Sequence, residues 1–319
     1  MRLNIFCLAS YAMLIALSVS AQAQPKKIPR VGFLGFGNGN PARFDAFRQG
    51  MQGLGYIDGK TVIIERRGGN RLAELAAELV RLKVDVIVTG GSAATQAAKD
   101  ATSTIPIVMA QDNDPVGSGF VASLAGPGGN ITGLSGLSAE MNGKRLELLK
   151  EIVPKLSRLA VLGDSTIAGN KQALSGTEAA AAALRVQLQY ENIHRPEDVD
   201  KVFRATSKDV DAILFLNNPL FLSQRTHLAD LAAKSRLPAM YDARDFVEAG
   251  GLISYGRDAV DLFKRAAVYV DKILKGAKPA DLPVEQPMKF EFVINLTAAK
   301  LIGLTIPQSV LYRADKVIK

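Results

Sequence analysis

Short apolar runs alternate along this chain with longer amphipathic stretches. RVGFLGF at 30–36 has the pattern of a buried strand, and Pro41 then opens a stretch in which Phe44, Phe47, Met51 and Leu54 recur at helical spacing. TVIIER predicts a second strand, LAELAAELVRLKV a helix with a leucine and alanine stripe, and DVIVTGG at 85–91 a third strand that stops at glycines. SAATQAAKDAT then reads as helix and IPIVMA as strand four. Strands alternating with helices imply a parallel sheet with right-handed crossovers.

The pattern then starts afresh. KRLELLKEIVPKL predicts a helix, RLAVLGD at 158–164 a strand, and a helix runs through TEAAAAALRVQL. VDAILFLNN at 210–218 is a strand, THLADLAAKSRL a helix, PAMYDA a strand, and FVEAGGLISYG leads to the long helix DAVDLFKRAAVYVDKILKG. Two successive sets of similar make-up predict two lobes of one α/β architecture, each built on a parallel sheet. Between the sets lies the glycine-rich run DPVGSGFVASLAGPGGNITG at 114–133. It predicts a turn at the end of strand four (114–119), a short helix over 120–125, a tight turn at 126–129 and an extended crossing at 130–134, with glycines serving close backbone approach. It lacks the GxxxxGK[ST] spacing of a phosphate loop.

The N-terminus changes the picture of where the chain works. Arg2, an apolar core from Ile5 to Val19 and the small-x-small run Ala21-Gln22-Ala23 have the form of a secretory signal cleaved after Ala23, with a core shorter than the roughly 20 apolar residues of a membrane span. The expected location is periplasmic. Cys7, the only cysteine, falls inside that leader, so the remainder has no thiol, disulfide or cysteine-based metal site. The formal net charge of +8 is spread along the chain without basic runs interleaved with aromatics, which argues against nucleic-acid binding.

DPVGSGFVASLAGPGGNITGLS, followed by GKRLELLKE, RLPAMYDARDFVEAGGLISYG and KPADLPVEQPMKFEFVINLTAAKLIGLTIPQSVLYRAD, resembles the ABC-transporter substrate-binding proteins of the group that includes tryptophan- and tyrosine-binding members. The resemblance spans 28–319. It implies a type I periplasmic-binding fold, with two doubly wound lobes joined by three hinge crossings and a small-molecule ligand between them. The implied partner is an ABC permease in the inner membrane, and the receptor is expected to be a monomer. On this basis 1–23 is the signal peptide, 24–134 plus 256–286 the first lobe, and 135–255 plus 287–319 the second. The crossings fall at NITGL, GLISYG (251–256) and LPVEQPMKFEF (282–292).

In open α/β sheets ligands lie beyond the carboxyl ends of the strands. The loops there nominate Phe36, Asn38, Gly91, Ser92, Ala93 and Asp114 on the first lobe, and Ser165, Asn217, Asp242 and Tyr255 on or beside the second. TGGSAAT is the most telling of them, because two glycines bring the backbone close and the following helix offers free N–H groups to a carboxylate. Asp112, Asp114 and Asp242 suit an ammonium group, so the expected ligand is an amino acid or another small carboxylate. Phe36, Phe221 and Tyr255 are the rings expected to stack on it. No cofactor, metal or catalytic residue is expected. Gly35-x-Gly37 is only a partial dinucleotide fingerprint, with Asn40 where its third glycine belongs, GxSxG is missing, and His194 and His227 read as isolated surface residues. A secreted α/β enzyme and a sensory receptor are the alternative uses of such a cleft.

Overall fold

The computed structural model describes residues 27–36, 41–136, 139–167 and 169–319; the leader at 1–23, together with Asn38 and Asn40, lies outside them. The first set of elements is β1 (Arg30–Phe36), α1 (Pro41–Gly53), β2 (Ile63–Gly69), α2 (Leu72–Arg81), β3 (Val86–Thr89), α3 (Ser92–Ala101), β4 (Ile107–Asp112) and β5 (Ile131–Ser135). Its strands form one parallel sheet in the order β2-β1-β3-β4-β5. All four residues of β3 are buried, since a central parallel strand is covered on both faces.

The second set comprises α4 (Ala139–Ile152), β6 (Arg158–Gly163), α5 (Asn170–Leu184), β7 (Gln187–Asn192), α6 (Val199–Thr206), β8 (Ala212–Phe215), α7 (Pro219–Ser223), α8 (Arg225–Lys234), β9 (Ala239–Tyr241), α9 (Arg244–Glu248) and β10 (Ile253–Arg257). The chain then continues through α10 (Ala259–Leu274), β11 (Phe290–Asn295), α11 (Leu296–Leu301), α12 (Gln308–Leu311) and β12 (Lys316–Ile318). The second sheet runs β12-β11-β10-β9-β8-β6-β7 and is parallel except where β11 meets β10. The core follows these layers. Phe47, Met51, Phe263 and Val270 fill one side of the first sheet and Leu79, Ala94 and Ala98 the other. Leu149, Leu159 and Ile294 fill one side of the second sheet, and Phe203, Phe215 and Tyr241 the other. Each of the large aliphatic and phenylalanine side chains among these contributes about 1.5–3 kcal/mol on burial.

α10 follows the second sheet in sequence but packs on the first, where its Leu262, Phe263, Ala266 and Val270 meet α1. Asp258 starts it, accepting the Asp261 N–H at 3.0 Å. The two helices approach closely at Gly50, where a Cβ would lie 2.5 Å from the Lys264 carbonyl oxygen. The sheets are joined after Ser135, after Arg257 and between Glu285 and Phe290. At this seam Glu285 pairs with Leu134, donating its N–H to the Gly133 carbonyl at 3.0 Å and accepting that of Ser135 at 2.9 Å.

Several sequence expectations change. No helix forms over 120–125. Phe120 and Val121 pack in the core as irregular chain, and the Ser123 hydroxyl engages both the N–H and the carbonyl of Gly126, turning the backbone before a helix can propagate. NITGL is not itself a crossing; β5 is an edge strand of the first sheet. The helix through TEAAAAALRVQL stops at Leu184, where Arg185 adopts a left-handed φ of 55°, and the residues from Gln187 become edge strand β7.

Candidate functional site

The carboxyl ends of β1, β3 and β4 face those of β8 and β9 across a cavity of about 1530 Å³. Gly91, Ser92 and Ala93 line it on the first-lobe side. Gly91 has φ 126°, a conformation open to glycine and strained for other residues, and it places Ser92 as the first residue of α3. No side chain caps this helix start. The hydroxyls of Thr89 and Thr95 bond each other at 2.8 Å beneath the loop and fix its seat on β3.

Asn217 and Asp242 line the opposite wall and belong to one cross-cleft chain. Asn113 donates from Nδ2 to Asn217 Oδ1 at 2.6 Å, and Asn217 donates in turn to the Asp242 carboxylate. A carboxylate only accepts, so Asp242 sets the orientation of both amides. A second link between the lobes is Arg43 of α1 with Asp245 of α9, at 3.3 Å and mostly buried. Behind the wall, Arg145 donates to the Tyr255 carbonyl and to Asn142 Oδ1, both at 2.6 Å. Burial lowers its guanidinium to about 10, against the opposing pull of Asp242.

Asp112, at the end of β4, is buried, and desolvation raises its carboxyl to about 6 despite a hydrogen bond from Ser92, the Asp114 N–H and the nearby Arg257 charge. The raised value means that the folded protein holds this proton where the unfolded chain has released it. The associated stability is therefore complete in acid and lost as pH rises through about 6. Ligand-free protein is expected to lose stability between about pH 4 and about pH 6, by at most about 3 kcal/mol from this group. Asp112→Asn should flatten that part of the profile in urea melts; an unchanged slope would show that Asp112 is not the group responsible.

Other nominated residues stand apart from the cavity. Asp114 turns its carboxylate onto its own loop, accepting the Gly117 N–H at 2.8 Å. Ser165 is exposed, and its hydroxyl and N–H are both engaged by the Asn192 amide. Tyr255 stacks against Phe290 and meets Phe292 edge-on, so its ring belongs to the packing of β10 on β11. Phe221 is fully buried against Phe215. Phe36 contributes the end of β1 as backbone, and Asn38 falls outside the described residues.

The rings that do line the cavity are Phe33, Phe44, Phe120 and Phe263. Phe33 packs edge-on against Phe44 at 5.1 Å, and the Arg66 guanidinium lies 4.7 Å over the Phe44 ring. His194 is exposed, as expected, and also reaches the rim, where Asp164 holds it at 2.7 Å. Sequence reasoning also missed Arg43, Gln111, Asn113 and Arg257. Of these, Gln111 and Asn113 sit directly beside a nominated strand end. Among the described residues there is no group of three or more His, Cys, Asp or Glu side chains that could hold a metal, and no helix long and apolar enough to cross a membrane.

A model of the ABC transporter substrate binding proteins matches residues 37–318. The tyrosine-binding protein of Clostridioides difficile (strain R20291) is 26% identical over 263 residues, which span 81% of this chain and 75% of that protein. Among solved structures, a conserved domain protein from Vibrio cholerae superimposes with a TM-score of 0.85 at 31% identity, over 91% of this chain and 100% of the other. An ABC domain from Streptococcus pneumonia in complex with L-Trp does so with a TM-score of 0.84 at 29% identity, over 91% and 99%. With two lobes, a cleft at their strand ends and a match across nearly its whole length, this chain belongs to the ABC transporter substrate-binding protein family, on the type I periplasmic-binding fold.

Proposed function

We propose that the protein is an exported receptor that closes on an aromatic amino acid, or a closely similar small carboxylate, and presents the closed form to a membrane permease. One juxtaposition carries this reading: the uncapped start of α3 at Gly91–Ala93 shares a cavity with the phenylalanine wall of Phe33, Phe44 and Phe120. The helix start offers unpaired N–H groups and the positive end of a dipole to a carboxylate. The rings offer edges and faces to an aromatic side chain. The relatives that bind tyrosine and L-Trp support that ligand class. The leader at 1–23 supports export, and the family supports a permease partner. The function is binding by a shift of population between open and closed lobes, with no turnover.

Thermal-shift screening of residues 24–319 against the twenty amino acids tests this. L-tyrosine or L-tryptophan should add about 2.7 kcal/mol of stability at a hundred times its Kd. Prolonged incubation should return the ligand chemically intact, and EDTA should leave the affinity unchanged. Failure of every amino acid to stabilise the protein would defeat the ligand assignment, and product accumulating in proportion to protein would replace the receptor with an enzyme.

A further inference from the structure

The cationic side chains lining the cleft differ in what holds them. Arg43 is paired with Asp245, Arg67 with Glu65 and Glu78, Arg66 covers Phe44, Arg225 donates to the Leu222 carbonyl and His194 is bound to Asp164. Arg257 alone among them, within the described residues, has neither a hydrogen bond nor an ion pair through its side chain. It is half-buried at the last position of β10, where the chain leaves the second sheet for α10. Room for it is built in at Gly136: a Cβ there would lie 2.2 Å from Arg257 Nη1. A half-buried guanidinium that makes no hydrogen bond or ion pair, with only the charges of Asp242 and Asp112 nearby, has its donors free for an anion, and its fork suits a carboxylate.

We infer that Arg257 is the anchor for the ligand's carboxylate, gripping it together with the N–H groups of Gly91–Ala93; the inference rests on the cleft being the ligand site. Asp112 is close to both sets of donors, since Ser92 and Arg257 each favour its charged form. A further residue with a spare donor lines the same cleft from the second lobe. Asn218 is only 4% exposed, and its Oδ1 is committed to the Leu220 N–H at 2.8 Å, which leaves Nδ2 as an unpartnered buried donor. Arg257 sits at a crossing between the lobes, so a carboxylate bound there bears directly on the hinge. This makes the carboxylate the part of the ligand that selects the closed form.

The test is a cycle that crosses protein and ligand changes. Calorimetric titration of wild type, Arg257→Gln and Arg257→Lys with L-tyrosine, L-tryptophan and their amides isolates the guanidinium–carboxylate term from any general damage. Wild type should bind each acid about ten- to a hundredfold more tightly than its amide. Arg257→Gln should lose at least about tenfold of that preference while holding the amides nearly as well as wild type, and Arg257→Lys should fall between. Equal weakening of acid and amide by Arg257→Gln would make Arg257 a structural residue, and the receptor reading would stand without it. Wild type that binds acid and amide equally would overturn the anchor with no variant needed, and wild type that binds none of the amino acids would overturn both readings.

Discussion

Gly91→Val is expected to weaken L-tyrosine and L-tryptophan binding by at least about a hundredfold while leaving a folded protein. Two effects combine at this position. The backbone is held at φ 126°, where a β-branched residue costs about 1–3 kcal/mol and pushes the loop toward another conformation. A Cβ added there would meet no protein atom within 4 Å, and on this cavity-lining residue next to the start of α3 the branched side chain is expected to crowd the first N–H groups. Losing two charge-assisted hydrogen bonds, at about 1.5–3 kcal/mol each, accounts for the expected magnitude. Ser92→Ala removes one hydroxyl and keeps the backbone donors, so it should cost less than about tenfold. Titration calorimetry on both variants checks the pair; a folded Gly91→Val protein with wild-type affinity would place the carboxylate away from α3.

The helix start was legible because its signals are local: a buried apolar run ending at two glycines, then alanines and a serine, can be read without knowing what faces them. The same holds for Asn217 and Asp242, which close apolar strands and whose side chains reach the cleft. Asp114 looked equivalent, yet Gly117 lies three residues on and takes its carboxylate, so a local turn wins over the cavity. Tyr255 lies away from the cavity for a different reason. Strand β10 pairs Tyr255 with Phe292 and Arg257 with Phe290, so the Tyr255 ring packs on its neighbours in β11, while Arg257, on the same face at the strand's end, reaches past the sheet to the cavity. That register is set by a strand far along the chain.

Long-range pairing also hid the links between the lobes. Arg43 and Asp245 are 202 residues apart, and Asn113 and Asn217 are 104 apart. Each is unremarkable in its own window of sequence. The aromatic wall is a mixed case: Phe33 and Phe44 were visible as strand and helix core, but the order of β1 beside β3 and the return of α10 bring Phe33, Phe44 and Phe263 together. The failed helix at 120–125 shows the limit of pattern alone. Six residues between glycines satisfy an apolar template, but a helix that short gains too few backbone hydrogen bonds to offset its nucleation, and the Ser123 turn competes directly.

Gly133→Ala should produce the largest loss of stability in the glycine-rich stretch, about 3–5 kcal/mol, a large share of the 5–15 kcal/mol typical of a folded domain. The residue lies in β5 opposite Met109 of β4, with φ 133°. A Cβ would sit 2.2 Å from the Met109 carbonyl oxygen and 2.6 Å from its nitrogen. Backbone atoms cannot rotate aside as a side chain does, so the two strands must separate, and Met109 is fully buried between them and α3. The conformational cost of about 1–3 kcal/mol adds to an overpacking cost of similar size. Separation of β5 would also disturb Glu285, which bonds Gly133 and Ser135 at the seam between the lobes, so ligand affinity should fall with stability. Gly129→Ala is the matched control. It lies in the same run, has no positive φ and would meet nothing within 4 Å, so it should stay within about 0.5 kcal/mol of wild type. Urea unfolding of the three proteins decides the matter: a Gly133→Ala midpoint indistinguishable from that of Gly129→Ala would mean that β4 and β5 are not held at the close approach their backbones show.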